Sequence, residues 1–364
     1  MDITVVPFKH YEDFKLEAEA ASLKNGTTFS EEEIKLRQEK QDKKWDKFIE
    51  NNSYNGTFLQ SRNFLNYHKD RFKDCSLFIY KGTSDILAVI PAVEIIDDGH
   101  KIFNAHAGST FGGIVFNKQF YNLKHLIAFF DVLEQYWQYN GYDKVILKQS
   151  SQIFSTCEND LFEYFFFQRK YHHYSEISFI IPLEKYNSNI PSNFSGARRR
   201  DFNYSLKNGF IFRKLETDEE VTAFYNLLCE NMLKFDTKPV HTLEELLDFK
   251  NSRLRDIVEF WGTYRDNKLM AGSMSFLFKL NGNKTVFHTQ YLASSQKNLE
   301  LFPNNFNDAN LIRIAKERNY DIFSFGTSTL EHGAILNEKL AEFKEGFGTT
   351  YSNNKVWIKD FSKN

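Results

Sequence analysis

One order of elements occurs twice along this 364-residue chain, and nothing else in it constrains the fold as strongly. Residues 77–93 read LFIYKGTSDILAVIPAV, and residues 261–278 read WGTYRDNKLMAGSMSFLF. Each joins an aromatic-rich run to an aliphatic one across a short turn holding Gly, Asp or Asn, the pattern of a β-hairpin. Farther on, the first half has LIAFFDVLEQYWQYNGYDKVILKQS and the second has NLIRIAKERNYDIFSFGTS. Each reads as an amphipathic helix, a stop at Gly or Asn, a Tyr-Asp pair and an apolar strand. Leu126, Phe130, Leu133 and Trp137 recur at spacings of three and four and share a helical face; Asn140-Gly141 then ends that helix. Helix–turn–strand is common in α/β proteins, so one copy says little. The matching order in both halves points to tandem copies of one α/β unit. The polar, Pro-broken stretch Glu184–Ser192 places the boundary near 185–195, giving domains 1–190 and 191–364.

Composition supports a folded pair of domains. Apolar residues make up 41% and aromatics 16%, with 38 Phe against 6 Pro, so a large core can form. The net charge of −2 supplies no global field toward DNA or an anionic membrane; peripheral membrane contact would have to be local. Cys75, Cys157 and Cys229 are widely separated, which indicates neither a disulfide framework nor a metal site. The N-terminus lacks a signal-peptide pattern, and no apolar run reaches the length of a transmembrane helix. The expectation is a cytoplasmic protein. Residues 10–50 are charged and helical in pattern, with a turn at 24–28 and a capping box from Thr28 to Glu31. They read as an added N-terminal helical pair.

The C-terminal third gathers the polar residues that suit a cleft. The run 284–293 alternates as a strand, with Val286, His288 and Gln290 on one face and Phe287, Thr289 and Tyr291 on the other. The strand 321–327 follows a helix and ends at Gly326-Thr327-Ser328, then Glu331-His332-Gly333. Asn337 precedes Phe343-Lys344-Glu345-Gly346-Phe347-Gly348. Lys238-Pro239-Val240-His241 leads into a helix that Thr242 and Glu245 cap, so His241 stands just outside a helix N-terminus. Arg198-Arg199-Arg200 opens another helix and can meet a phosphate or a solvated face. In the first half, Asn55-Gly56-Thr57-Phe58-Leu59, Tyr67 to Phe72, and His106 with Gly108 and Phe111-Gly112-Gly113 complete the set.

Taken together, these pieces resemble the acyltransferases related to the Fem peptidyltransferases, a branch of the GNAT superfamily, from about Trp45 onward. The resemblance implies an α/β (α+β) fold of two tandem GNAT-like domains, each a mixed twisted sheet flanked by helices, with the site in the second. It implies an acyl or aminoacyl transferase acting on an amine of a cell-envelope precursor or amino sugar. The donor would be acyl-CoA or aminoacyl-tRNA, with no metal. In GNAT folds the cleft opens where two neighbouring parallel strands part, here 284–293 and 321–327. His288, His241, Glu331 and Tyr291 are then candidates for proton transfer or leaving-group protonation. Gln290, Gly326, Ser328, Asn337, Lys344, Arg198 and Arg200 are candidates for substrate contact. Each has a plainer reading as well: a core histidine, a packing tyrosine, a structural turn. The segment Ser294–Asn305 holds no glycine, unlike the pyrophosphate loop of CoA users. An acetyl-CoA-dependent N-acetyltransferase remains the alternative, and a non-catalytic glycan- or peptide-binding protein on the same fold is a third reading.

Overall fold

The computed structural model describes residues 1–362. Contacts within it group the chain into two compact units. The first comprises Met1–Tyr174, Leu280–Gly282 and the end of the chain from Lys355; the second comprises Ser175–Lys279 and Asn283–Asn354. The division falls at Tyr174, ahead of the Pro-broken stretch, and Pro191 lies in a short 3-10 turn, Ile190–Asn193, inside the second unit.

In the first unit, Ile3–Pro7, Leu77–Lys81, Asp85–Ile90 and Val115–Phe116 form an antiparallel sheet that includes the hairpin expected at 77–93. A second set of strands places His100–Ala105 parallel to Lys144–Lys148. The helix Leu123–Tyr139 connects them by a long crossover, the connection that parallel pairing requires. Its Leu126, Phe130, Leu133 and Trp137 are fully buried, as their spacing predicts. The N-terminal helices are Tyr11–Asn25 and Glu31–Asn51. The cap of the second is Ser30 rather than Thr28. Its hydroxyl accepts from the Glu33 N–H and the Glu33 carboxylate accepts from the Ser30 N–H, so the box lies two residues farther on.

In the second unit, the strands run in the order Ile211–Lys214, Val258–Arg265, Lys268–Lys279, Thr285–Ser294, Ile322–Thr327 and then the part of His172–Pro182 from Ser175 onward. All neighbours are antiparallel except Thr285–Ser294 and Ile322–Thr327, which are parallel and joined through the helix Pro303–Glu317. That helix packs Leu311, Ile312 and Ala315 into a core with Phe287, Phe323, Phe325 and Phe347. Each unit thus holds one parallel pair bridged by a helix.

Candidate active site

The parallel pair of the second unit is short. Val286 faces Ile322, Phe287 faces Phe323 and His288 faces Ser324, and there the register ends. The first strand runs on to Ser294 with its partner on the other side, Lys268–Lys279. The second turns toward His172–Pro182 through an irregularity between Ser324 and Gly326. The two strands, the pair that the family resemblance singled out, part at His288 and Ser324, before the C-terminal end of either. Open α/β sheets bind ligands at C-terminal strand ends.

A bulge rearranges the side chains on the first strand. Met274 faces Tyr291 and Ser275 faces Thr289, which leaves Gln290 as the extra residue. Directly opposed residues share a face, and Phe276 opposes His288 two positions from Met274. Tyr291 therefore lies on the His288 face, not the opposite one that strict alternation predicts. Alternation fails because one inserted residue shifts every later side chain by one position.

Three buried groups meet where the strands part. His288 Nδ1 lies 3.0 Å from Ser324 Oγ, and Gln290 also hydrogen-bonds its ring. Burial and the Lys344 charge push the imidazole down to about 4, so it is neutral at physiological pH. Gly326, at φ +69°, lets the backbone pass against the His288 ring; a Cβ there would sit 3.3 Å from its Cε1. Lys344 is only 3% exposed, and its Nζ donates to the carbonyls of Gly326 (3.2 Å) and Thr327 (2.6 Å). Burial brings its ammonium down to about 7, opposed by Asp308. An ammonium has three donors, and these two bonds use two of them.

His241 and Tyr291 form a second pair on the same face. His241 Nδ1 is 2.8 Å from the Tyr291 hydroxyl, and both rings are largely buried. Burial pushes the phenol up to about 12, which keeps it protonated. The capping box of Thr242 and Glu245 fixes the loop that carries His241.

Other predicted residues hold the surroundings. Arg198 donates through Nη1 to Asn305 Oδ1 (3.0 Å) and through Nη2 to the Phe343 carbonyl (3.1 Å), with its guanidinium over the Phe343 ring. It thereby ties the helix Glu338–Glu345 to the start of Pro303–Glu317. Arg200 is exposed. Asn337 caps Glu338–Glu345 through the Leu340 N–H, and its own N–H donates to the Ser328 carbonyl. Ser328 is buried at the base of a hairpin, Thr329–Leu330 with Ile335–Leu336, and Glu331 is exposed at that hairpin's tip.

Sequence reasoning missed Asn305, Asn307 and Asp308, all buried in the first turns of Pro303–Glu317. Asp308 is enclosed, and burial pushes its carboxyl up to about 7 against the pull of Asn307, Arg198 and Lys344. The signal was the dense polar run Asn304-Asn305-Phe306-Asn307-Asp308 just where the helix should face the core. Thr263 hydrogen-bonds Asn307 at 3.3 Å, so this polar turn is anchored to the sheet.

No protein-family profile matches the chain, and no curated protein sequence matches it. Solved structures do. The crystal structure of FemX aligns with a TM-score of 0.64 over 88% of this chain and 96% of that one, at 13% identity. A conserved protein of unknown function from Bacteroides thetaiotaomicron aligns with a TM-score of 0.54 over 87% and 96%, at 10% identity. The structure of L-PGS from Bacillus licheniformis aligns with a TM-score of 0.50 over 80% and 85%, at 14% identity. The chain therefore shares its fold with FemX and these other solved structures. Among the described residues, no helix is long and apolar enough to cross a membrane.

Proposed function

We propose that this chain, built on the Fem-like tandem acyltransferase fold, transfers an acyl or aminoacyl group to an amine of a cell-envelope precursor or amino sugar. One observation carries the reading: the parallel strands of the second unit part beside a buried lysine that titrates near neutrality.

Acyl transfer needs a donor aimed at the carbonyl oxygen, where negative charge develops. Lys344 supplies it. Its ammonium is fixed by two backbone carbonyls, shielded from water, and has one N–H left for the acyl oxygen. The acceptor amine attacks the acyl carbon and forms the new C–N bond. The bond from that carbon to the donor's oxygen or sulfur breaks, and the proton lost by the amine ends on the leaving group. Tyr291, held protonated and paired with His241, is suited to pass that proton. His288, neutral and held by Ser324 and Gln290, orients groups beside Gly326 and is a weak base at its depressed pKa.

Within the glycine-free segment Ser294–Asn305, Gln296–Leu301 forms a 3-10 turn, whereas a pyrophosphate cradle draws on the backbone N–H groups of a glycine-rich loop. This favours aminoacyl-tRNA over acyl-CoA. The experiment supplies each donor with amino-sugar and envelope-precursor amines and follows product by mass spectrometry. Product with at least one donor, lost in Lys344→Ala with the fold intact, supports the reading. Turnover unchanged in Lys344→Ala would overturn it.

A further inference from the structure

The helix Glu31–Asn51 sorts its charges by sign. Asp42 accepts hydrogen bonds from Gln38 Nε2 (2.8 Å) and Asn66 Nδ2 (3.0 Å). Asp46 accepts from the backbone N–H groups of Arg62 (2.6 Å) and Asn63 (3.1 Å). Both carboxylates are thereby drawn to one side. Lys40, Lys43, Lys44 and Lys47 recur at i, i+3, i+4 and i+7, so they share a face, and that face lines a groove of about 630 Å³ in the first unit.

Ordinary helix energetics do not favour this stripe. Lys40 with Lys44 and Lys43 with Lys47 are like charges four apart, which weakens a helix. The Lys43–Glu39 pair at 3.6 Å is largely exposed and compensates little. The helix dipole does not explain the stripe either. It acts within the last turn, and that turn holds no basic residue.

The groove also has features of a small-molecule site. Among the described residues that line it, Asp85 is the single carboxylate. Phe48, Ile86 and Phe120 form an apolar ledge, and Ser84, Asn117 and Gln119 add polar groups. Lys81 stands over the Phe120 ring at 4.2 Å and brings a fifth cation to the rim. Its size is within the range of small-ligand pockets. Glu31, Glu32 and Glu33 at the start of the helix and Glu50 near its end bracket the lysines. Lys35 and Arg37 lie between those glutamates and Lys40, so what argues for a small ligand is the enclosed groove with its apolar ledge.

We propose that this groove binds a small molecule carrying two or more phosphates. Compact ammonium charges suit phosphate oxygens, and the apolar ledge suits a non-charged remainder. The site is separate from the acyl-transfer reading and does not depend on it.

Calorimetric titration of the full-length chain with pyrophosphate, adenosine diphosphate and uridine diphosphate tests the proposal. Two double variants, Lys40→Gln/Lys44→Gln and Lys43→Gln/Lys47→Gln, serve as controls, because exposed lysines can be changed without loss of fold. The expected result is one site per chain for at least one probe. Binding should weaken about tenfold in each double variant and fall with added salt, while the melting temperature stays that of the parent. Three outcomes overturn it: no diphosphate binds at millimolar concentration, the double variants bind as well as the parent, or only single-stranded RNA or phosphatidylglycerol vesicles bind.

Discussion

The two units carry the same parallel pair of strands and treat the gap beyond it in opposite ways. In the first, Ile102 to Ala105 face Lys144 to Leu147, and the chain then folds back into the gap. The Gly112 N–H donates to the Lys148 carbonyl (2.9 Å), and the Gly113 N–H donates to Ala105 (3.1 Å). Gln149 closes the stitch. Its Oε1 accepts from the Ile114 N–H (2.9 Å) and its Nε2 donates to the Ile114 carbonyl (2.8 Å). The strand-end carbonyls of Ala105 and Lys148 thus already have backbone partners. In the second unit, the corresponding place holds Lys344, bonded to carbonyls of one strand only. The fold alone therefore does not make a site. What differs is the group at the strand ends: backbone N–H groups in the first unit, a buried lysine in the second.

The largest effect that can break this comparison concerns Lys344. If its ammonium polarises the acyl carbonyl, Lys344→Met should lower kcat by about 10²–10³, as loss of an oxyanion donor does, while KM changes little. Single-turnover kinetics with the donor that proves active would measure it. A loss confined to KM would make Lys344 a binding group and leave the carbonyl donor elsewhere.

The second effect is one of stability and contrasts two glycines. A Cβ on Gly112 would lie 2.6 Å from the His106 backbone nitrogen and 2.8 Å from the Ala105 carbonyl carbon. Backbone cannot swing aside, so Gly112→Ala should cost about 3 kcal/mol or more. Gly326→Ala meets the His288 ring at 3.3 Å and a φ of +69°, and should cost about 1–2 kcal/mol. Urea unfolding of both variants would rank them. Equal costs would mean that the backbone packed against Gly112 is no more rigid than the surroundings of Gly326.

The sequence disclosed the repeat because it rests on periodicity, which side-chain chemistry reports directly, whereas the parting of the two strands was an expectation from the family resemblance. Leu126, Phe130, Leu133 and Trp137 are an instance: their spacing named their burial. It did not disclose the face of Tyr291, because a bulge leaves no mark in the pattern of a strand whose two faces are both largely covered. Asp308 escaped for a different reason. A carboxylate in an amphipathic helix is normally solvent-facing, and the groups that favour its charged form, Asn307, Arg198 and Lys344, include two from distant parts of the chain. The glycines at 112 and 113 stood out in the sequence only as a pair after Phe111. What approached them, the strand ends of their own unit, was a matter of tertiary structure.

A smaller kinetic effect sharpens the roles on the shared face. Tyr291→Phe removes the hydroxyl bonded to His241 and keeps the ring. General acid–base participation would make the loss in kcat about 10²-fold, and the loss should shrink with donors whose leaving group needs no proton. If the loss is the same for all donors, the hydroxyl only positions His241.

The smallest expected effect is the pH dependence of stability from Lys344. Its pKa falls from an ordinary 10.5 to about 7 in the folded chain. Between those values the unfolded chain binds a proton that the folded chain lacks, so stability rises with pH there, by about 1.4 kcal/mol per unit at most. Below 7 both states are protonated, the buried charge exerts its full cost, and the slope vanishes. The difference in unfolding free energy between the parent and Lys344→Met should therefore change by about 2 kcal/mol from pH 7 to 8.5 in favour of the parent. Titrating groups common to both proteins cancel in that difference. Asp308 tests the cause: its carboxylate is the group that raises Lys344, so Asp308→Asn should move the onset of the rise to lower pH. An unchanged onset would mean that burial alone sets the lysine, and that the polar turn at Asn305–Asp308 serves the packing of its helix rather than Lys344.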